Sequence, residues 1–387
     1  MREHAPQIYL DYNATTPVHA EVREAMLPWL GERWGNPSSA HSFGRAAAAA
    51  IADARAEIAA LIGAMPEEII FTSGGTEADN LALFGALRGP GHLLLSAIEH
   101  PAVSAAAAML IRQGWSVELL PVSADGRVSL AETRAILNER AHVDLLSVIC
   151  AQNETGAIQP VAALAELVRG RAPNAVVHSD GAQAVGKIPV DVGELGVDLL
   201  TLVSHKFYGP AGIGALYCRR PRELRPRLFG GGQERGMRPG TEPVALIVGF
   251  GAAAALARRT LATEMLRQEK LRDLLWGRLA AAIPGIYRTV PAEHALPNTL
   301  HVCLPGVRGD EVLARASTVA ASVGSACHSG QVAAVGVLGV MSLPPELAAG
   351  ALRLSLGRGS ERAELIAASD ALADAWRAQV ELQARRS

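Results

Sequence analysis

Lys206 has the clearest chemical potential of any residue in this 387-residue sequence. It follows a mostly apolar run at residues 199–203 and precedes a tight turn at Gly209 and Pro210, with His205 as its neighbour. A lysine at the end of an apolar strand can lose the hydration of its ammonium group, which lowers its pKa toward that of a nucleophilic amine. Such an amine can condense with an aldehyde. The sequence therefore predicts a covalent catalytic role for Lys206, and the alternative is an ordinary surface lysine after a core strand.

Cys327 is the second residue with nucleophilic potential. It lies among small residues at 323–330 and next to His328, which could help to populate its thiolate. The other cysteines lie within or at the ends of apolar segments and are most simply packing residues: Cys150, Cys218 and Cys303. The four cysteines form no C-x-x-C pair and no zinc spacing, so we expect no metal site.

The segments that must position these residues alternate regularly. From residue 68 to residue 217 strand-like runs, short turns and helix-like segments follow one another. This alternation predicts an α/β fold with a mostly parallel sheet covered by helices. Ligands of such sheets bind at the carboxyl ends of the strands. Seven candidates fall at predicted strand ends, and we expect them to form one site: residues 74–76, His100, Asn153, Asp180, Gln183, His205 and Lys206.

Two of these strand ends suggest how a ligand is held. The glycine pair at residues 74–75 leads into a helix that begins near Thr76, and backbone N–H groups at a helix start suit a phosphate. A plain tight turn would give the same pattern. His100 lies just beyond a strand and could stack on a planar ring. Arg353, on the polar face of an alternating strand, offers a fork for a carboxylate.

The composition limits the class of protein. A net charge of −2 without a basic block argues against nucleic acid as a direct ligand. With 49% hydrophobic and 19% charged residues, the chain can fill a large core, typical of two domains. Its first residues lack the apolar run of a signal peptide, and the apolar run at 244–257 is too short for a bilayer. We therefore expect a cytoplasmic protein without a membrane partner.

Four motifs together resemble those of the cysteine desulfurases and selenocysteine lyases, which belong to the class V pyridoxal-phosphate-dependent aminotransferase family. They are Y-L-D-x-x-A-T-T-P at residues 9–17, S-H-K-F-Y-G-P at 204–210, G-G-x-Q-E-x-x-x-R-x-G-T at 230–241 and G-S-A-C at 324–327. The resemblance implies a fold-type I pyridoxal 5'-phosphate enzyme that acts as a homodimer. It also implies a large cofactor-binding domain at residues 18–260 and a smaller α+β domain, made of 1–17 and 261–387, that carries the cysteine loop.

The same resemblance implies roles for individual residues. Lys206 would hold the cofactor and move protons, His100 would act beside it, and Cys327 would take the sulfur from L-cysteine. The implied cofactor-binding residues are Gly75, Thr76, His100, Asn153, Asp180, Gln183, Ser204, His205, Lys206 and, from the partner subunit of the dimer, Thr241. The implied substrate-binding residues are Asn13, Ala14, Thr15 and Arg353. Asp180 would stabilise the pyridinium of the ring, and a sulfur-acceptor protein would receive the persulfide.

The motifs mix features of the two branches. The loop G-S-A-C at 324–327 is similar to that of desulfurases, whereas His328-Ser329 and the motif at 230–241 are similar to those of selenocysteine lyases. Val203 stands where many desulfurases have a phosphate-binding serine. We therefore expect an L-cysteine desulfurase whose sulfur serves iron–sulfur assembly, tRNA thiolation or DNA phosphorothioation. Alternatives are a selenocysteine lyase acting on L-selenocysteine, an aminotransferase or epimerase of the same fold, and a non-catalytic scaffold that binds the cofactor and docks sulfur acceptors.

Overall fold

The computed structural model describes residues 7–140, 142–220, 224–323 and 336–385. The strands are β1 Ile8–Tyr9, β2 Ile69–Thr72, β3 His92–Ser96, β4 Ser116–Leu120, β5 Leu145–Ser147, β6 Val176–Asp180, β7 Leu199–Val203, β8 Gly214–Cys218, β9 Tyr287–Arg288, β10 Thr299–Cys303, β11 Val319–Ala320 and β12 Ala351–Ser355. The helices are α1 Ala20–Leu30, α2 Ser42–Leu61, α3 Gly75–Ala86, α4 Pro101–Arg112, α5 Leu130–Glu139, α6 Val161–Arg171, α7 Val192–Leu195, α8 Val244–Ala282, α9 Gly309–Arg315, α10 Val337–Val340, α11 Pro345–Ala348 and α12 Arg362–Ala384.

A seven-stranded sheet in the order β2-β8-β7-β6-β5-β3-β4 forms the centre of the larger part. Neighbours from β7 to β4 run parallel, and β8 is antiparallel to both β7 and β2. Six strands therefore share one direction and their carboxyl ends meet at one edge. The prediction of a mostly parallel α/β sheet is confirmed.

The alternation of side chains along the strands fills two cores, one on each face of the sheet. Leu94, Leu146 and Leu200 lie in the core that includes α2 and the start of α8. Leu93, Leu145 and Leu199, their neighbours in sequence, lie in the core beneath α3 and α4. Because both faces are covered, nearly every residue of these strands is apolar. Most exceptions lie toward the carboxyl ends of the strands, where Asp180 at the end of β6 lines a cavity.

A third core belongs to the smaller part, where β10 pairs with β9 and β12 and β1 pairs with β11. The predicted alternation in β12 is confirmed. Leu352, Leu354 and Leu356 are fully buried in this core, and Arg353 and Ser355 face the other way, toward the cavity and the N-terminal segment.

The long helix α8 connects the two parts. Its first half contributes Ile247, Phe250 and Ala254 to the core of the larger part, and its second half contributes Leu275 and Leu279 to the smaller core. By length and composition alone α8 could cross a bilayer, but these buried contacts give it the character of a core helix. We propose that the division between the domains falls within α8, near residue 260.

Candidate functional site

A cavity of about 330 Å³ lies between the carboxyl edge of the central sheet and β12. Eleven of the residues predicted for the site line it: Asn13, Ala14, Gly75, Thr76, His100, Asn153, Asp180, Gln183, His205, Lys206 and Arg353. They come from the N-terminal segment, from the loops after β2, β3, β5, β6 and β7, and from β12. Parallel strand direction brings the loop residues together, and the contact of the smaller part with this edge adds the rest.

Lys206 follows β7 and reaches into the cavity. Its Nζ donates to the backbone oxygens of Asn13, at 2.8 Å, and Ala14, at 2.7 Å. Burial, and next the positive charge of Arg353, lower the pKa of Lys206 to about 8. A pKa lowered this far makes the neutral, nucleophilic amine much more available near neutral pH than in an ordinary lysine.

Asp180, the last residue of β6, is a buried acid whose Oδ1 accepts from Ala182 N at 2.9 Å. Burial, with the nearby charge of Asp79, raises the pKa of Asp180 to about 7. Burial also raises the pKa of Asp79 to about 7 and that of Glu99 to about 8. Oδ1 of Asp79 and Oε2 of Glu99 are buried without a hydrogen-bond partner in the described part of the chain. A ligand cation beside Asp180 would suit this group of acids.

His100 caps the start of α4, where its Nδ1 accepts from Ala102 N at 3.1 Å. Because Nδ1 accepts, the neutral ring carries its proton on Nε2. Burial lowers the pKa of His100, opposed by Asp180 and assisted by Lys206. His100 is therefore a neutral aromatic ring at neutral pH, suited to lie against a planar ligand.

The start of α3 and His205 both line the cavity. Gly75 and Thr76 open the helix, whose N-cap Gly74 makes no side-chain cap bond, and the first backbone N–H groups of a helix suit an anion. A Cβ at Gly75 would lie 2.8 Å from Cγ2 of Val203, so only glycine allows this close approach of helix and strand. His205 Nδ1 lies 3.0 Å from Thr15 Oγ1. Burial and the charges of Lys206 and Lys187 lower the pKa of His205 to about 4.

Arg353 is held by polar groups from three segments. Its Nη2 donates to Asp11 Oδ1 at 2.7 Å and to Ser322 Oγ at 3.0 Å, and its Nη1 donates to Asn153 O at 3.0 Å. The buried Nε has no partner among the described residues. The guanidinium therefore lies at the cavity wall with donor capacity left for a carboxylate.

Four predicted site residues are placed differently from the rest. Ser204 is buried outside the cavity lining, and its Oγ has no partner among the described residues. Thr15 does not line the cavity, but its Oγ1 is hydrogen-bonded to His205, which does. Thr241 is exposed and away from the cavity of its own chain. Cys327 lies outside the described residues.

Sequence reasoning missed several residues that shape the site, among them Asp79, Glu99 and Lys187. Asp79 follows Thr76 by three positions, so both lie on one face of α3, and this spacing was the available signal. Lys187 could have been noticed because the chain has only three lysines, at 187, 206 and 270. In the described ranges no group of three or more His, Cys, Asp or Glu side chains is arranged to hold a metal.

The groups lining the cavity fit pyridoxal 5'-phosphate. An aldehyde could react with Lys206, a ring cation could pair with Asp180, the ring face could lie against His100, and a phosphate could bind at the start of α3. The unpartnered oxygens of Asp79 and Glu99 and the start of α3, which has no side-chain cap, are the observations that carry this fit.

Comparison with known proteins points the same way. Residues 8–367 match the family model described as Aminotransferase class-V. A cysteine desulfurase IscS of Dictyoglomus turgidum is 41% identical over 365 residues, which cover 93% of this chain and 92% of the relative. A NifS-like protein from Rickettsia africae superposes with a TM-score of 0.85 at 31% identity, covering 96% of this chain and 99% of that one. A structure titled SspA in complex with cysteine has a TM-score of 0.76 at 34% identity, covering 90% and 98%.

Proposed function

The chain belongs to the class-V aminotransferase family, whose cysteine desulfurase members depend on pyridoxal 5'-phosphate, and we propose that it is a cysteine desulfurase. In the reaction L-cysteine and a protein thiol give L-alanine and a protein persulfide. The observation that carries this proposal is the gathering of Lys206, Asp180 and Arg353 around one cavity in a chain with desulfurase relatives. The curated names favour the desulfurase over the selenocysteine lyase.

The cofactor supplies an electron sink that stabilises negative charge on the substrate, and the chain's own residues do the rest. Lys206 would attach the cofactor and transfer protons at the substrate carbon atoms. Asp180 would pair with a ring cation and so keep the ring electron-poor. His100, which lines the same cavity, would lie against the ring face and move a proton beside Lys206.

Arg353 binds the substrate carboxylate in this proposal, with Asn13, Ala14 and Thr15 on the same side. Because the guanidinium is already fixed by Asp11 and Asn153, little side-chain freedom is lost when the substrate binds. Gln183 and Asn153 are proposed to bind near the ring oxygen, and Thr76 and His205 near the phosphate. Ser204 would bind the phosphate only if its side chain turned toward the cavity.

Cys327 is the proposed sulfur acceptor within the chain. Its thiolate attacks the substrate sulfur, the C–S bond breaks, and the bonding pair returns to the carbon that becomes the alanine methyl group. A downstream sulfur-acceptor protein then takes the terminal sulfur. Three features of the sequence support this choice: the small-residue loop, the neighbouring His328, and the packing of the other cysteines, all buried.

We also propose a homodimer, in the cytoplasm, in which Thr241 of each chain completes the partner's phosphate site. The loop at residues 230–241 supports this, because Thr241 is exposed in its own chain while Phe229 beside the loop is 89% exposed. Mixing Thr241→Ala with Lys206→Ala subunits would give hybrid dimers with one intact site. Partial recovery of activity on mixing is the expected result, and an active monomer would contradict the shared site.

The proposed activity is tested by L-alanine release from L-cysteine in the presence of a thiol reductant. We expect yellow protein, alanine formation with sulfide release, and no amino-group transfer to 2-oxo acids. Assays with L-selenocysteine distinguish the lyase, for which cysteine would act as an inhibitor. Transfer to 2-oxo acids without sulfide release would show an aminotransferase, and yellow protein without turnover would show a scaffold.

A further inference from the structure

Lys187 is a second buried lysine next to the catalytic one. Only 9% of its surface is exposed, and it follows Gln183 by one helical turn's spacing in the segment after β6. Its Nζ donates to Asn13 Oδ1 at 2.9 Å and to Oε1 of Gln183. Burial, and next the positive charges of Lys206 and Arg353, hold the pKa of Lys187 well below its usual range.

An amine buried in this way needs a reason, because removing a cationic group from water is costly unless it is well paired. Both hydrogen-bond acceptors of Nζ are neutral amide oxygens. The chain has 36 basic residues of the lysine and arginine types, and only three of them are lysines. Two of these three lie at the same site, which indicates that position 187 needs an amine rather than a generic positive charge.

The contacts of Lys187 determine which way the Gln183 amide points. Nζ has two oxygen partners, and both the ammonium ion and the neutral amine have enough hydrogens to donate to the two, so the amide oxygen of Gln183 faces Lys187. The amide nitrogen therefore lies on the opposite side, where Nε2 donates to Asn13 O at 2.9 Å. An amide NH₂ has two hydrogens, and the second has no acceptor among the described residues. Gln183 itself lines the cofactor cavity.

We propose that Lys187 is a positioning residue that holds the Gln183 amide in the one orientation that presents an N–H donor, and not a carbonyl oxygen, to the cofactor cavity. This inference rests on the proposed function, since it assumes a cofactor with a ring oxygen attached at Lys206. Without Lys187 the bond from Nε2 to Asn13 O is the one described contact that still opposes a 180° rotation of the amide. That rotation would turn an acceptor toward a ring oxygen that carries negative charge.

The same network reaches Lys206. The backbone oxygen of Asn13 accepts from Gln183 Nε2 and also from Lys206 Nζ, at 2.8 Å. The Asn13 side chain is fixed as well, because Oδ1 accepts from Lys187 and Asn298 while Nδ2 donates to Thr299 Oγ1 at 2.9 Å. Lys187 thus bonds to both amides that flank the cofactor-binding lysine, and Asn298 and Thr299 share in orienting that of Asn13.

The test is a pH titration of the visible absorbance of the cofactor bound at Lys206, in the holoenzyme without substrate. An N–H donor that bonds to the ring oxygen stabilises the negative charge on that oxygen. The oxygen then holds the proton of the neighbouring lysine-bound nitrogen less tightly, so the pKa of that nitrogen falls. Lys187→Met removes the donors at nearly constant volume, so we expect this pKa to rise by roughly one unit, the size of one hydrogen bond to a charged group. Lys270→Met, at an exposed position, is the matched control and should leave it unchanged.

A double-mutant cycle separates positioning from the direct effect of a nearby charge. If Lys187 acts through the amide, Lys187→Met adds nothing in a Gln183→Leu background. Equal shifts in both backgrounds would overturn the inference in favour of a direct charge effect of Lys187, acting with those of Lys206, Arg353 and His205. An unchanged pKa in the single variant would overturn it outright.

Gln183→Glu keeps the inference testable should Lys187→Met fail to fold. The substituted carboxylate is isosteric and can pair with Lys187, yet it presents only acceptor oxygens to the cavity. We expect the pKa to rise further than in Lys187→Met, and an unchanged value would overturn the inference. Wild-type protein whose cofactor is not attached at Lys206 would instead refute the proposed function, a result that borohydride fixation distinguishes before any variant is compared.

Discussion

The charged side chains in and around the cavity fall into two sets of opposite sign. The acidic set is Asp180, Asp79 and Glu99, whose pKa values are all raised, mainly by burial. His178 lies 3.5 Å from Asp79, and burial lowers its pKa to about 4; burial also lowers the pKa of His100, which is close to Asp180. Both rings are therefore neutral at neutral pH, and among the described residues no lysine or arginine forms an ion pair with the acidic set.

The basic set is Lys206, Lys187 and Arg353. Among the described residues, the carboxylate bonded to this set is that of Asp11, 2.7 Å from Arg353. Burial is the main cause that lowers the pKa of both lysines. The three acids and the two lysines are therefore driven toward their neutral forms until a ligand of the opposite charge arrives. A molecule that carries both a ring cation and anionic groups would complement the two sets.

The largest effect on activity should come from the basic set, at Lys206. Lys206→Ala removes the attachment point and the proton-transfer group, so alanine formation should fall by about 10³-fold or more. Borohydride should no longer fix the cofactor to the chain, which mass spectrometry of the digested protein would show. Lys270→Ala is the control, and fixation at another lysine with activity retained would contradict the assignment.

Replacing Arg353, the proposed ligand of the substrate carboxylate, should have the next largest effect on activity. Arg353→Lys keeps the charge but loses the bidentate geometry, so KM for L-cysteine should rise by roughly tenfold to a hundredfold with a smaller change in kcat. Asp11→Asn is the paired variant, because it weakens the grip on Arg353 while leaving the guanidinium in place. A larger kcat loss than KM change in Arg353→Lys would argue that Arg353 does more than bind.

The depressed pKa of Lys206 predicts a pH dependence of cofactor capture by the apoenzyme. Only the neutral amine reacts, and a pKa of about 8 makes that form scarce at low pH. The rate of capture should therefore rise by about sixteenfold between pH 6.5 and pH 8, rise by about a further twofold above pH 8 and level off near pH 9.5. Stopped-flow absorbance follows the reaction, and a rate that keeps rising to pH 10 would show an ordinary lysine.

The last effect concerns the acidic set and is a change in stability instead of activity. The pKa of Asp79 is raised to about 7 in the folded protein, so its folded state binds a proton more tightly and wild-type apoprotein loses stability as pH rises from about 4 to 7. Asp79→Asn removes that loss. The apoprotein should gain about 4 kcal/mol at pH 8 and nothing at pH 4. Denaturant unfolding at both pH values measures this, and equal effects at both would contradict it.

Much of this arrangement was predictable because strand ends are readable from the sequence. Apolar runs fix where the strands lie, and a shared strand direction then places His100, Asp180 and Lys206 at one edge. What surrounds them was not readable in the same way. The partnership of Arg353 with Asp11 joins residues 342 positions apart, and it depends on how the smaller part meets the sheet.

The direction of single side chains was also beyond sequence reasoning. Ser204 was predicted to bind the cofactor, yet the 3₁₀ turn after β7 directs His205 and Lys206 into the cavity and leaves Ser204 outside its lining. Lys187 was missed because it follows the strand end by seven residues and reaches back through its long side chain. Motif spacing identifies the loop, and only packing determines which of its residues face inward.

The most direct test of the proposed function is to locate the sulfur. Holoenzyme is incubated with L-cysteine without a thiol reductant, alkylated, digested and analysed by mass spectrometry alongside a count of L-alanine formed. We predict one added sulfur atom on the peptide containing Cys327, matched by one alanine per site, with Cys327→Ser showing neither and Cys218→Ala behaving as wild type. Alanine formation with the added sulfur on another cysteine, or sustained full activity in Cys327→Ser, would contradict the proposed mechanism.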